Sequence, residues 1–115
     1  MTDPTEAQLI ARYRARLLDE EVALATASAE TREARRPMEL DQQSIGRLSR
    51  QDALQQQAMA TAQQMRRANR GRAIAAALLR MDEGEFGYCA QCGEFIGFGR
   101  LDLDPCLATC RDCAC

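Results

Sequence analysis

Histidine, lysine and tryptophan are absent from this chain of 115 residues. Because histidine is the commonest general base near neutral pH and a frequent zinc ligand, its absence excludes a histidine-dependent active site and a Cys₂His₂ metal site. Aromatic residues are few, with two tyrosines and three phenylalanines, so a large globular core is not expected. From these absences we do not expect an enzyme.

The sequence also lacks any apolar run long enough to cross a membrane, and its first residues do not resemble a signal peptide. We therefore expect a cytoplasmic protein without a membrane partner. All positive side chains are arginines, and the formal net charge is −2. A net acidic chain is a poor candidate for binding the phosphates of DNA, so direct sequence-specific DNA binding is not expected.

Six cysteines are present, and all of them follow residue 88. Four form two Cys-x-x-Cys pairs, Cys89 with Cys92 and Cys110 with Cys113. This spacing is typical of a structural zinc site, because two short turns can aim four thiolates at one ion. Four sulfur ligands leave no open position for catalysis, so we expect one structural Zn²⁺. Disulfide bonds are the alternative, but they are typical of secreted chains.

Cys106 and Cys115 lie outside these two pairs. Either could replace a ligand or act as a redox-sensitive thiol, and the alternative is that both pack as small apolar side chains. All the aromatic residues except Tyr13 lie close to the cysteines in sequence. This clustering predicts a small core that the zinc ion completes.

Helical periodicity dominates the chain before the cysteines. A first helix is predicted from about residue 4 to about residue 35, and a second over about 50–82. The inward-facing side chains expected in the first helix are Ile10, Tyr13, Leu17 and Leu24. Those expected in the second helix are Leu54, Ala58, Met65, Ala68, Ala75 and Leu79.

Each predicted helix would be roughly 45–50 Å long at 1.5 Å per residue. Two helices of matched length joined by a short segment favour a long antiparallel two-helix coiled-coil hairpin. We predict a mainly α fold, with this hairpin over residues 1–83 and a Cys₄ zinc-finger module over 84–115. The segment 36–49 is predicted to be an ordered tip, and the alternative is that it forms the first turns of the second helix.

The C-terminal third of the chain resembles a known family. Residues 83–96 read Glu-Gly-Glu-Phe-Gly-Tyr-Cys-Ala-Gln-Cys-Gly-Glu-Phe-Ile, followed by Arg100-Leu101, Pro105 and Cys110-Arg-Asp-Cys113. In order and spacing, this segment resembles the DksA/TraR family of C4-type zinc-finger transcription regulators. The hairpin before it agrees with that family in architecture, but only loosely in sequence.

The resemblance implies a regulator that binds RNA polymerase rather than DNA. In this family the zinc module and the hairpin base bind the polymerase rim, and the hairpin tip enters the secondary channel, where acidic tip residues act near the active site. The candidate tip residues here are Asp52, Ala53 and Asp41. The family pattern Asp-x-x-Asp-x-Ala is matched only in part, since Ser49 stands where an earlier aspartate would fall. The alternative is that Asp52 is an ordinary acid in the first turn of a helix.

The nucleotide alarmone ppGpp is a candidate partner, because family members often act together with it. Asp104 argues against this, since it stands where the family has a basic residue that helps to hold ppGpp. An alternative function is that of a zinc-stapled coiled-coil adaptor, which binds a partner helix and has no polymerase role. We expect a monomer, although the helices could instead pair between two chains.

Overall fold

The computed structural model of the protein describes residues 4–35 and 47–114, apart from the side chains of Ala34, Arg47, Leu48 and Ser49. Its helices are α1 (Glu6–Glu30), α2 (Arg47–Asp82) and α3 (Phe98–Leu103), and a short 3-10 turn (Glu33–Arg35) follows α1. The two long helices pack together as an antiparallel hairpin, and the cysteines follow it, which confirms the predicted mainly α fold. No helix in the described ranges combines the length and apolar character of a membrane-spanning segment.

Helix α1 is shorter than predicted at both ends, because side chains cap it. The backbone N–H of Gln8 donates to Thr5 Oγ1 (3.2 Å), and the backbone N–H of Thr5 donates to Gln8 Oε1 (2.9 Å). This reciprocal pair is a capping box, and it starts the helix at Glu6. At the other end, the hydroxyl of Thr31 donates to the carbonyl of Ala27 (2.8 Å) as the helix gives way to the 3-10 turn.

Helix α2 begins at Arg47, earlier than predicted. The interpretation of residues before 50 as first turns of this helix is therefore correct for 47–49, while residues 36–46 lie outside the described residues. No acidic side chain lies in the first turn of α2, so the interpretation of Asp52 as a first-turn acid is wrong.

Helix α2 ends at Asp82, as predicted, because the backbone conformation of a following glycine stops it. Gly84 has a positive φ of 75°, which side chains with a Cβ rarely adopt. The backbone N–H of Glu85 donates to the carbonyl of Arg80 (2.9 Å), and that of Gly84 donates to Met81 (3.3 Å). These two bonds form a Schellman motif, which turns the chain towards the first Cys-x-x-Cys pair.

The inward face of α2 differs from the predicted one. Three large side chains that were predicted to face inward are exposed, namely Leu54 (42%), Met65 (63%) and Leu79 (56%). The inward positions instead follow the alternating three- and four-residue spacing of a coiled coil. They are occupied by Arg50, Ala53, Gln57, Ala60, Gln64, Arg67, Gly71, Ile74, Leu78 and Met81. Because many of these side chains are polar or small, apolar periodicity identified the wrong face.

The described residues form two compact units, and the two helices contribute to both. The hairpin unit is Ala23–Arg70, and the metal unit contains the described residues up to Val22 and from Gly71 onward. The large, fully buried side chains of the described residues all lie in the metal unit. They are Tyr13, Leu9, Leu17, Ile74, Met81, Leu101 and Pro105. The predicted division of the chain into domains at residue 83 stays a prediction.

Gly87 shows how tightly the metal unit is packed. Its φ is 89°, and a Cβ at this position would lie 3.0 Å from Leu9 Cδ1 and 3.7 Å from Leu101 Cδ1. Tyr13 and Phe86 pack beside it in the same core, with their ring centroids 5.8 Å apart. This core joins α1, α3 and the cysteine-bearing turns.

Candidate metal centre

The four cysteines of the two Cys-x-x-Cys pairs converge on one point. The Sγ atoms of Cys89, Cys92, Cys110 and Cys113 all lie within 4.8 Å of one another, and those of Cys92 and Cys110 are 3.5 Å apart. A tetrahedron with zinc–sulfur bonds of about 2.3 Å has sulfur–sulfur edges of about 3.8 Å. The arrangement therefore fits a metal ion held by four thiolates.

A tight turn positions the first pair of sulfurs. Backbone N–H groups of Gln91 and Cys92 point at Cys89 Sγ, at 3.4 and 3.5 Å. The N–H of Gly93 donates to the carbonyl of Cys89 (2.9 Å), and Gly93 has a φ of 78°. Glycine is favoured at such a φ because it has no Cβ. The backbone N–H of Cys89 donates to the backbone carbonyl of Glu94 (2.7 Å), and this bond closes the turn.

The second pair lies on a similar turn. The backbone N–H groups of Cys113 and Ala114 both donate to the carbonyl of Cys110, at 3.1 and 2.9 Å. One backbone bond joins the two turns directly, from the N–H of Ala90 to the carbonyl of Ala108 (2.8 Å). These backbone bonds place the two turns side by side, with their four sulfurs converging on one point.

The thiols influence one another's ionisation. Backbone N–H groups of Cys110 and Cys92 stabilise the thiolate of Cys89 and lower its pKa to about 6. The neighbouring sulfurs of Cys110, Cys89 and Cys92 raise the pKa of Cys113. Four thiolates this close repel one another, so full ionisation of the cluster needs a compensating cation. A divalent ion bound between them supplies that charge.

Of the two remaining cysteines, the structure describes only Cys106. Cys106 is half-buried and is not one of the four converging residues. Its backbone is fixed, since its N–H donates to Asp104 Oδ1 (3.0 Å) and its carbonyl accepts from Arg80 Nη2 (3.3 Å). Cys115 lies outside the described residues. The bond from Cys106 also gives Asp104 a structural role, as the residue whose carboxylate orders the turn before the second pair.

A cluster of side chains that the sequence did not predict anchors α3 to α1. Arg12 makes a two-pronged contact with Asp102, through Nε to Oδ1 (3.1 Å) and Nη2 to Oδ2 (2.7 Å). The hydroxyl of Tyr13 donates to Asp102 Oδ1 (2.7 Å), and Arg16 Nη1 donates to the carbonyl of Asp102 (2.6 Å). The Arg12 guanidinium also lies over the Phe98 ring, 4.6 Å from its centroid. We call Arg12, Tyr13, Arg16 and Asp102 the α1–α3 clasp.

The electrostatics of the clasp follow from these contacts. The hydrogen bonds from Arg12 and Tyr13 hold the pKa of Asp102 below its usual value. Burial and the adjacent carboxylate raise the pKa of Tyr13 to about 12, so its hydroxyl remains a donor at neutral pH. Apolar periodicity does not reveal this cluster, because Arg12 and Asp102 are charged and are separated by 90 residues.

Replacement of Asp102 by alanine is expected to lower the thermal unfolding midpoint, because it removes the acceptor for Arg12 and Tyr13 at once. Asp112→Ala is the matched control, since Asp112 is also exposed and no hydrogen bond to its side chain is seen in the described residues. Differential scanning calorimetry of both zinc-loaded variants makes the comparison. Equal midpoints for the two variants would contradict the anchoring role of the clasp.

Of the three predicted tip residues, the structure describes two, Asp52 and Ala53. Asp52 is exposed on α2, and Ala53 beside it is half-buried. Both belong to the hairpin unit, whereas the four cysteines belong to the metal unit. Asp41 lies outside the described residues. The role of all three at a hairpin tip stays a prediction.

This chain is similar to known proteins in part of its sequence and in its fold. No family model matches the chain. A stretch of 40 residues is 48% identical to the RNA polymerase-binding transcription factor DksA of Haemophilus influenzae. Together with the four-cysteine cluster, this match agrees with the resemblance of the C-terminal third of the chain to the DksA/TraR family.

The aligned stretch is 35% of this chain and 28% of the Haemophilus relative, so the match spans little more than a quarter of that relative's length. A solved structure extends the comparison to the fold. The transcription factor DksA2 from Pseudomonas aeruginosa superposes with a TM-score of 0.68 over 95% of this chain and 79% of DksA2, at 20% identity. The fold of this chain is therefore similar to that of DksA2.

Proposed function

We propose that this protein is a transcription regulator that binds RNA polymerase. The observation that supports this most strongly is the four-cysteine centre itself, which lies in a chain with a 40-residue stretch 48% identical to an RNA polymerase-binding factor. A net charge of −2 makes direct binding to DNA phosphates less favourable than binding to a protein.

The metal in this proposal is one Zn²⁺ held by Cys89, Cys92, Cys110 and Cys113. Four soft sulfur donors within 4.8 Å suit zinc far better than magnesium or calcium. With all four positions filled by protein, the ion would have no place for a substrate, so its role is to hold the two turns together. In this proposal the metal ion has no catalytic role, and the helices carry the regulatory residues.

The hairpin supplies the acting residues in this proposal. It enters the secondary channel of the polymerase, and Asp52, Ala53 and Asp41 act near the polymerase active site. The exposure of Asp52 on α2 supports this role, because its carboxylate is available to a partner. A slender pair of helices can also enter a channel that a globular domain cannot.

We propose further that this activity does not require ppGpp. The carboxylate at Asp104 accepts a hydrogen bond from the backbone of Cys106 (3.0 Å). A negative side chain at this place would repel the phosphates of the alarmone. Transcription assays with and without ppGpp would then give equal regulation.

Asp52→Asn is expected to abolish regulation in a reconstituted transcription assay while leaving the fold unchanged, because it removes one exposed charge at nearly constant shape. Asp82→Asn is the matched control, since Asp82 is an exposed aspartate at the other end of α2. Full activity of Asp52→Asn, or equal loss in both variants, would rule out a specific role for Asp52.

The adaptor function remains the second candidate because α2 exposes apolar side chains. Leu54 and Met65 are 42% and 63% exposed in the hairpin unit, and such a surface could accept a partner helix. An adaptor would be indifferent to Asp52→Asn and sensitive to Met65→Gln. A polymerase regulator acting through its tip gives the opposite pattern.

A further inference from the structure

The hairpin unit differs from the metal unit in what holds its helices together. Among the described residues from 23 to 70, no side chain is fully buried, whereas the metal unit contains every residue of the apolar core. The inward positions of the hairpin unit are only half-buried. They are Leu24, Ala27, Ser28 and Thr31 on the α1 side, and Arg50, Ala53, Gln57, Ala60, Gln64, Arg67 and Arg70 on α2.

Hydrogen bonds between side chains take the place of an apolar core there. Ser28 Oγ donates to Gln64 Oε1 (3.0 Å), and Arg67 Nε donates to the same oxygen (3.1 Å). Arg67 Nη2 also donates to Thr31 Oγ1 (2.9 Å). We call Ser28, Thr31, Gln64 and Arg67 the polar cluster.

These hydrogen bonds determine which residues of the two helical segments face each other, but they add little to the stability of the hairpin unit. When the helices separate, water replaces each of these hydrogen bonds, so little net free energy is gained by forming them. Water does not compensate in this way when buried apolar side chains become exposed. Apolar burial is therefore the dominant favourable contribution to folding. The polar cluster therefore selects which positions face each other, while the free energy that holds the helices together stays small.

We propose that the hairpin unit opens on its own, with its two helical segments separating and losing their helical hydrogen bonds while the core of the metal unit stays folded. Regions that open locally are those with few buried apolar contacts, and this unit has the fewest among the described residues. The polar cluster restores the same pairing when the segments close. This inference concerns the isolated protein and does not depend on polymerase binding.

Hydrogen exchange on the full-length, zinc-loaded protein tests the proposal, with mass spectrometry of peptides at increasing low urea concentrations. Peptides from 23–35 and 50–70 should exchange at least about tenfold faster than those from 9–17 and 74–81, through an opening with a smaller urea dependence. Exchange of both sets at one rate, with one urea dependence, would show a single cooperative unit and overturn the proposal.

A double variant tests the role of the polar cluster. Gln64→Leu with Arg67→Leu places apolar side chains at the inward positions, and should slow exchange in the hairpin unit about tenfold. Gln63→Leu with Arg66→Leu makes the same two changes on the exposed face of the same helix, and should change exchange by less than about twofold.

The two pairs of variants separate the possible results. Slowing confined to 23–35 and 50–70, and only for the inward pair, supports a separately opening unit whose polar positions limit its stability. Equal slowing by both pairs would show that leucine acts through helix propensity and not through the inward positions. Faster exchange in the inward variant would show that the polar cluster is itself the main stabilising contact. Either of these last two results overturns the role assigned to the polar cluster, and a single exchange rate and urea dependence in the wild type overturns separate opening.

Discussion

Cys110→Ser is expected to abolish stoichiometric zinc binding and to unfold the two cysteine turns. Cys110 Sγ lies 3.5 Å from Cys92 Sγ in the cluster, and serine cannot replace a thiolate as a soft ligand. Structural zinc contributes about 10–16 kcal/mol in small zinc domains, which is comparable to the whole stability of a typical domain. Elemental analysis should give one zinc per chain for the wild type and a large loss for the variant.

Cys106→Ser is the control for this experiment. Cys106 is a half-buried cysteine in the same module, and it lies outside the cluster of four. Its variant should retain one zinc per chain and the wild-type circular dichroism spectrum. Loss of zinc from Cys106→Ser with retention by Cys110→Ser would show that the ligands have been assigned wrongly.

Leu101→Ala is expected to lower the free energy of unfolding by about 2–5 kcal/mol, as is usual when a fully buried leucine is truncated. Leu101 is 0% exposed, on the short helix α3. The alanine would leave a cavity near Gly87, because a Cβ at that position would lie 3.7 Å from Leu101 Cδ1. Urea denaturation of the zinc-loaded variants measures the difference.

The same helix provides the control for this substitution. Leu103 is 83% exposed, so Leu103→Ala should change the free energy of unfolding by less than about 0.5 kcal/mol. The two variants remove the same atoms from positions two residues apart. Equal losses would show that α3 does not pack as the structure describes.

The cysteine spacing was the part of the sequence that predicted structure best. A short turn with two residues between its cysteines has few ways to arrange its sulfurs. Cys89, Cys92, Cys110 and Cys113 could therefore be grouped from the sequence alone. The helix stop at Gly84 was predictable for a similar reason, because a positive φ is a local requirement. Both features depend only on residues that are close together in sequence, and this is why the sequence predicts them.

Features that depend on distant residues were not predictable in the same way. The inward face of α2 was missed because Gln64 and Arg67 face inward, where their partners are Ser28 of α1 and Thr31 just after it. The clasp between Arg12 and Asp102 joins residues 90 positions apart. Leu9 was also missed: Ile10 was expected to face inward, whereas Leu9 is buried and Ile10 is half-buried.

Competition for purified bacterial RNA polymerase tests the central proposal most directly. Labelled protein known to occupy the secondary channel would be bound to polymerase and challenged with this zinc-loaded protein. Our account predicts displacement at micromolar concentration by the wild type, and also by Asp52→Asn, whose fold and rim contacts would be intact. Failure of the zinc-loaded wild type to bind polymerase at all would contradict the account and favour the adaptor function.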